Sequence, residues 1–169
     1  MTKVLNRDAL AAALDAQRHE RRIVFTNGCY DLLHIGHVRL LQRARAMGDV
    51  LVVAINSDDS VRRLKGPTRP VVSESDRAEV LAALECVSYV TVFDEDTPIE
   101  TLQVLRPHVH VKGGDYVPEQ LPEHAVLQAL NAEIQIFPLV DGRSSSQLIA
   151  RARRSEEPSE RNAPGGVRS

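Results

Sequence analysis

Two histidines, His34 and His37, stand three residues apart behind an apolar run in Ile23-Val24-Phe25-Thr26-Asn27-Gly28-Cys29-Tyr30-Asp31-Leu32-Leu33-His34-Ile35-Gly36-His37. A strand that ends in Asn27-Gly28 and gives way to a helix presents unpaired N–H groups and a partial positive charge. Both attract phosphate. At this spacing two imidazoles can face one side of the first helical turn, and Gly36 keeps a side chain out of a ligand's path. The chemistry would be hydrogen-bond donation to a phosphate chain. The plainer reading makes one histidine a helix cap and the other a surface residue. Their place straight after an apolar strand favours the phosphate reading.

Three further segments carry charge or open backbone. Lys65 and Arg69 flank a loop, Gly66-Pro67-Thr68-Arg69-Pro70, that constrains two cations. Such a pair suits a dianionic sugar phosphate, with arginine able to bind in bidentate fashion; an ordinary solvated basic loop would look the same. Lys112-Gly113-Gly114-Asp115 follows an apolar run. Its glycines would let a flat base lie against the backbone, while Asp115 could accept from a base or ribose hydroxyl; a bare turn also explains them. Arg143 precedes Ser144, Ser145 and Ser146, a set that can form a second anion site or simply cap a helix. Cys29 has no evident base beside it and reads as a small residue chosen for fit.

These segments need elements to hold them. Helical spacing runs from about Asn6 to Arg21, with Asn6 or Asp8 as cap, and a strand follows at Ile23–Thr26. A helix is predicted from His37 to Met47, closed by Gly48, then a strand over Val50–Ile55. Helices at Asp58–Leu64, Asp76–Leu84, Ile99–Leu105 and Glu123–Leu130 alternate with strands at Tyr89–Val92, Val109–Val111 and Ile134–Phe137. A last helix begins near Ser145. Uninterrupted apolar strands alternating with helices predict an α/β fold, Rossmann-like and three-layered, around a central parallel sheet. Ligands in such sheets sit beyond the carboxyl ends of the strands, where each of these motifs falls.

Composition bounds the rest. The chain has 169 residues, with 21 basic and 23 acidic side chains. That fits one domain over residues 1–154, with a polar tail over 155–169 that has no packing face and reads as disordered. A net charge of −2 argues against a dedicated nucleic-acid binder. Neither a membrane span nor a signal peptide is recognisable, so a cytoplasmic protein is expected. Two cysteines make neither a disulfide framework nor a zinc site.

His34-Ile35-Gly36-His37 resembles the HxGH signature of the nucleotidyltransferase superfamily, in the form seen in cytidylyltransferase-like enzymes. Class I aminoacyl-tRNA synthetases share the tetrapeptide, but they are much longer and carry a KMSKS-type loop, which this sequence lacks. Together with the segments at Arg62–Pro70, Lys112–Tyr116 and Gly142–Ser146, the chain resembles adenylyltransferases acting on D-glycero-D-manno-heptose 1-phosphate. These include the transferase half of bifunctional heptose kinase/adenylyltransferases. The likeness covers roughly residues 5 to 153.

The resemblance implies transfer of AMP from ATP to the sugar 1-phosphate, giving ADP-heptose and pyrophosphate. It implies catalytic roles for His34, His37, Lys65 and Arg143, with His37 on the α-phosphate and His34 on the β side. Asn27, Gly28, Cys29, Tyr30, Lys112, Gly113, Gly114, Asp115, Arg143 and Ser144–Ser146 would join the histidines in binding nucleotide. Asp31, Asp58, Lys65, Arg69 and Arg77 would serve the sugar phosphate. Asp58 could instead cap a helix, and Arg77 could instead form a surface ion pair with Glu74 or Glu79. Tyr30 stands where relatives usually carry Phe, and Ser145 where Thr is commoner. Magnesium would arrive with the triphosphate, with no protein metal site. A homo-oligomer and a separate sugar kinase are expected. The alternatives are a cytidylyl- or guanylyltransferase on a related sugar or polyol phosphate, and a non-catalytic nucleotide-binding module.

Overall fold

Asn6 opens the first helix: its side chain accepts a hydrogen bond from the Ala9 N–H at 2.8 Å, satisfying one orphan donor of the first turn. In the computed structural model, which describes residues 2–138 and residue 149, this helix, α1, covers Arg7–Asp15. It is shorter than the predicted reach to Arg21: Leu10 and Leu14 are its buried residues, and beyond it Arg18 turns to donate to the Leu105 carbonyl. The chain continues as β1 (Ile23–Gly28), α2 (Ile35–Arg45), β2 (Val50–Asn56), α3 (Asp58–Lys65), α4 (Glu74–Ala82), β3 (Tyr89–Phe93), α5 (Ile99–Leu105), β4 (Val109–Gly113), α6 (His124–Ala129) and β5 (Glu133–Phe137). A short 3-10 turn at Pro118–Gln120 lies between β4 and α6.

The five strands form one sheet in the order β3-β2-β1-β4-β5, and every pairing is parallel. Strict alternation sorts the apolar residues onto two faces. Val24, Leu51, Val53 and Ile55 face Leu41 of α2 and Leu81 of α4. Ile23, Phe25, Val50, Val52 and Ala54 face Leu10 and Leu14 of α1, Leu102 and Leu105 of α5, and Leu127 of α6. Both faces are therefore covered, as the unbroken apolar runs of β1 and β2 require. The Rossmann-like three-layer expectation holds. Val4 bridges Val90 and extends the β3 edge.

Element boundaries moved where caps decided them. α2 begins at Ile35 rather than His37, because His34 Nδ1 accepts from the Gly36 N–H and caps the helix. Ser57, not Asp58, caps α3, and Ser73 caps α4. Gly48 sits at the predicted end of α2 for another reason. A Cβ there would lie 2.6 Å from the Arg22 carbonyl oxygen and 2.7 Å from Val24 Cγ2, so only glycine lets the turn pass the start of β1. Of the predicted helix from Ser145 only Ile149 is described, and it is helical; the tail from Ser155 falls outside the described residues. Among those residues, no helix is long and apolar enough to cross a membrane.

The direction of winding reverses at β1. From it the chain steps outward to β2 and β3, then crosses back to lay β4 and β5 on the other side. The C-terminal ends of β1 and β4 are thus neighbours with diverging connections, which opens a crevice between them.

Candidate active site

A cleft of about 480 Å³ occupies that crevice. β1 and its exit loop supply Asn27, Gly28, Cys29 and Tyr30; α2 supplies His37; the end of α3 supplies Lys65; β4 supplies Lys112 and Gly113. All eight were singled out from sequence, and the fold brings them together from four elements. The other wall adds Asn56, Thr97, Pro98, Tyr116, Leu121 and Glu123. His34 does not line the cleft directly. It caps α2, and its ring stacks on that of His37 with centroids 3.8 Å apart.

His34 caps α2 through Nδ1, as the plainer reading allows for one histidine, while His37 is only partly exposed. Its ring is held between His34 and Tyr30, the latter at 5.0 Å. Its Nδ1 is buried and has no hydrogen-bond partner among the described residues. Burial, and secondarily the neighbouring His34, pushes its pKa down to about 4. The ring is therefore neutral near pH 7, with one nitrogen donating and one accepting. Tyr30 enters this arrangement with φ of 48°, an uncommon backbone for an aromatic residue, stored beside the site.

The predicted sugar-phosphate residues have a different geometry. Asp31 is 3% exposed and accepts from the Val71 and Val72 N–H groups at 2.7 and 3.0 Å, while Arg69 closes an ion pair on its other oxygen. Arg77 is 1% exposed; it donates to the Val72 carbonyl at 3.0 Å, the Cys29 carbonyl at 2.5 Å and Asp58 at 2.7 Å. Its expected partners Glu74 and Glu79 are not the ones used. Glu74 instead accepts from the Asp58 N–H at 2.7 Å. None of Asp31, Asp58, Arg69 and Arg77 lines the cleft. Together they strap the loop after Lys65 and the start of α4 to the β1 exit loop.

A model of the cytidylyltransferase-like family matches residues 25–154. The chain belongs to this family. Its similarity to bifunctional protein HldE from Syntrophotalea carbinolica is 50% identity over 151 residues, 89% of this chain and 31% of that protein. With HldE from Geotalea uraniireducens it is 51% over 152 residues, with the same coverage. The chain thus spans about a third of the length of these curated relatives. Among solved structures, a lipopolysaccharide core biosynthesis protein from Thermoplasma volcanium superposes with a TM-score of 0.60 at 25% identity, covering 72% of this chain and 99% of that one. Pantoate-beta-alanine ligase from Francisella tularensis shares the fold at TM-score 0.56 and 16% identity, covering 86% of this chain and 69% of its own.

In this cytidylyltransferase-like domain the Gly113-Gly114 turn departs from its expected use. Gly114 has φ of 144°, and a Cβ there would lie 2.5 Å from Tyr116 Cε2. The bare backbone at Gly114 thus accommodates Tyr116, the protein's own aromatic ring, where a base had been expected. Neither Gly114 nor Asp115 lines the cleft. Cys29 keeps to the role of fit: burial pushes its thiol up, which disfavours a thiolate. Arg143 and Ser144–Ser146 lie outside the described residues.

The cleft wall also holds residues that sequence reasoning missed. Lys112 Nζ lies 2.8 Å from Glu123 Oε1 and 3.4 Å from Asn27 Oδ1. Glu123 had been read only as the start of a helix. Yet it is 1% exposed, and burial, which alone would raise its carboxyl, is outweighed by His110 and Lys112, holding it at about 2. His110 Nε2 is 3.3 Å from the same oxygen, a close approach without hydrogen-bond alignment, and burial pushes this imidazole down. No spacing signal joins positions 110, 112 and 123; the turn between β4 and α6 brings them together.

Proposed function

We propose that this domain transfers AMP from ATP to D-glycero-D-manno-heptose 1-phosphate, releasing pyrophosphate. The observation that carries the reading is the neutral, partly buried His37 at the mouth of α2, lining a cleft whose cations are Lys65 and Lys112. The HldE relatives, about half identical over most of this chain, support the choice of substrate. A phosphate oxygen of the sugar phosphate attacks the α-phosphorus, the new P–O bond forms, and the bond to the β-phosphate bridging oxygen breaks. The nucleophile already carries negative charge, so no strong base is needed. Rate comes from alignment and from donors aimed at charge developing on the phosphoryl oxygens. His37 donates to the α-phosphate and His34 to the β side, while Lys65 holds the incoming phosphate. Arg143 with Ser144–Ser146 is assigned to the departing pyrophosphate.

The cleft is lined by two lysines, Lys65 and Lys112, which suit phosphate oxygens, and its two carboxylates are already engaged, Glu123 by Lys112 and Asp96 by Arg63. Magnesium, which offsets charge on the triphosphate when bound, would therefore be carried by phosphate oxygens and water. Asp31, Asp58, Arg69 and Arg77 act on the sugar phosphate through the loop they hold. A kinase acting on the sugar is the proposed source of the sugar 1-phosphate.

The test is pyrophosphate release with four nucleoside triphosphates against a panel of sugar and polyol phosphates. ATP with heptose 1-phosphate should give ADP-heptose. Turnover only with CTP or GTP would move the assignment to a cytidylyl- or guanylyltransferase. Nucleotide binding without any release would leave a non-catalytic module.

A further inference from the structure

The cluster of Glu123, Lys112 and His110 is more than packing needs. Glu123 is a nearly inaccessible carboxylate at the residue preceding α6. Burying it is costly unless charge and hydrogen bonds compensate. Its compensation is Lys112, which is still 18% exposed at its side chain and lines the cleft where β4 ends. Of the three ammonium donors, one goes to Glu123 and one, longer, to Asn27 in the β1 exit loop; the third has no hydrogen-bond acceptor among the described residues. On the other side of the carboxylate, His110 is completely buried and stacked on Phe25 at 5.6 Å, so Glu123 is braced against the core and cannot follow Lys112 outward. Tyr116 closes over the ammonium, its ring centre 5.9 Å from Nζ.

We infer that Glu123 is a positioning residue that holds the Lys112 ammonium at the crevice between β1 and β4, where its remaining donor binds an oxygen of the nucleoside triphosphate. The inference rests on the nucleotide-binding reading of the cleft and deepens it. Lys112 meets the nucleotide before and during transfer alike, so its loss weakens binding more than it slows the bound complex.

The experiment is calorimetric binding of a non-hydrolysable ATP analogue, with steady-state pyrophosphate release, to wild type, Lys112→Met, Glu123→Gln and the double variant. Each single variant should weaken analogue binding about tenfold and raise the KM for ATP by more than it lowers kcat. The double variant should be no worse than either single one, since Glu123 acts only through Lys112. Additive losses, or a kcat that falls while binding is kept, would overturn the inference. If Glu123→Gln does not fold, Lys112→Met and the charge-free double variant decide it: wild-type binding by either would equally overturn it. Failure of wild type to bind the analogue would instead reject the nucleotide reading itself.

Discussion

His37 makes two separable predictions. Replaced by Ala in a folded protein, it should cost roughly 10²–10³ in kcat, the usual worth of a donor aimed at transition-state charge, while ATP binding weakens less. His37→Asn should recover part of that loss, because an amide still donates; a proton-transferring base would not be replaced this way. Steady-state pyrophosphate release checks both, with thermal melts as the folding control. The second concerns pH. With a folded value near 4 against 6.5 for the free side chain, the unfolded chain binds more protons between those values, so stability rises with pH there. The contribution is complete above about pH 6.5 and lost as pH falls through 4, at most about 3 kcal/mol. Glu123, depressed from 4.5 to about 2, adds a second loss as pH falls below about 4.5. Urea melts from pH 7 to 4 should show a steeper slope in wild type than in His37→Asn, where the buried His110, also pushed down, still contributes.

At the scale of elements, the loop behind Lys65 is held by buried charge at two points. Arg77 ties α4 to the β1 exit loop through the Cys29 carbonyl and to α3 through Asp58, so Arg77→Met leaves several acceptors unpaired at once. Breaking a buried pair costs about 3–5 kcal/mol, and Asp58 keeps partial access to water, so a loss near 3 kcal/mol is expected in urea melts. Lys65 should behave oppositely. It ends α3 at the cleft, and Lys65→Ala should change stability by no more than about 0.5 kcal/mol while weakening sugar-phosphate binding more than triphosphate binding. Equal calorimetric losses for both ligands would assign the lysine to the triphosphate instead.

Across the whole molecule, the cleft draws on β1, α2, α3 and β4, so a ligand bridging them should stabilise the fold as a unit. ATP at about 100 times its Kd should raise stability by about 2.7 kcal/mol, read as an upward shift in the melting temperature. That gain should shrink in Lys112→Met at the same ATP concentration, whose weaker binding leaves the site less saturated. An unchanged melting temperature for wild type at that ATP concentration would show that the folded domain does not bind ATP.

The alternation of apolar strands with helices, the parallel sheet, the sheet edge where the cleft opens and the histidine turn were all legible in the sequence. Each rests on local periodicity or on a motif contained within a dozen residues. Asn6 as a cap and the strand cores of β1 and β2 belong to the same class. What the tertiary structure alone decided were relations between distant residues. Arg77 could be seen beside Glu74 and Glu79 but not beside Asp58 and the Cys29 carbonyl, because helical neighbours are visible in a sequence and the packing of α4 on the β1 exit loop is not. Asp31 read as a ligand contact until the fold turned it inward onto Val71, Val72 and Arg69. Gly114 announced an open backbone, yet Tyr116 fills it. Glu123 looked like the first residue of a helix and is a buried counter-ion, because the turn from β4 to α6 folds it back against Lys112 and His110. Side-chain partners across a sheet edge depend on where crossovers return, and that information is spread over the whole chain.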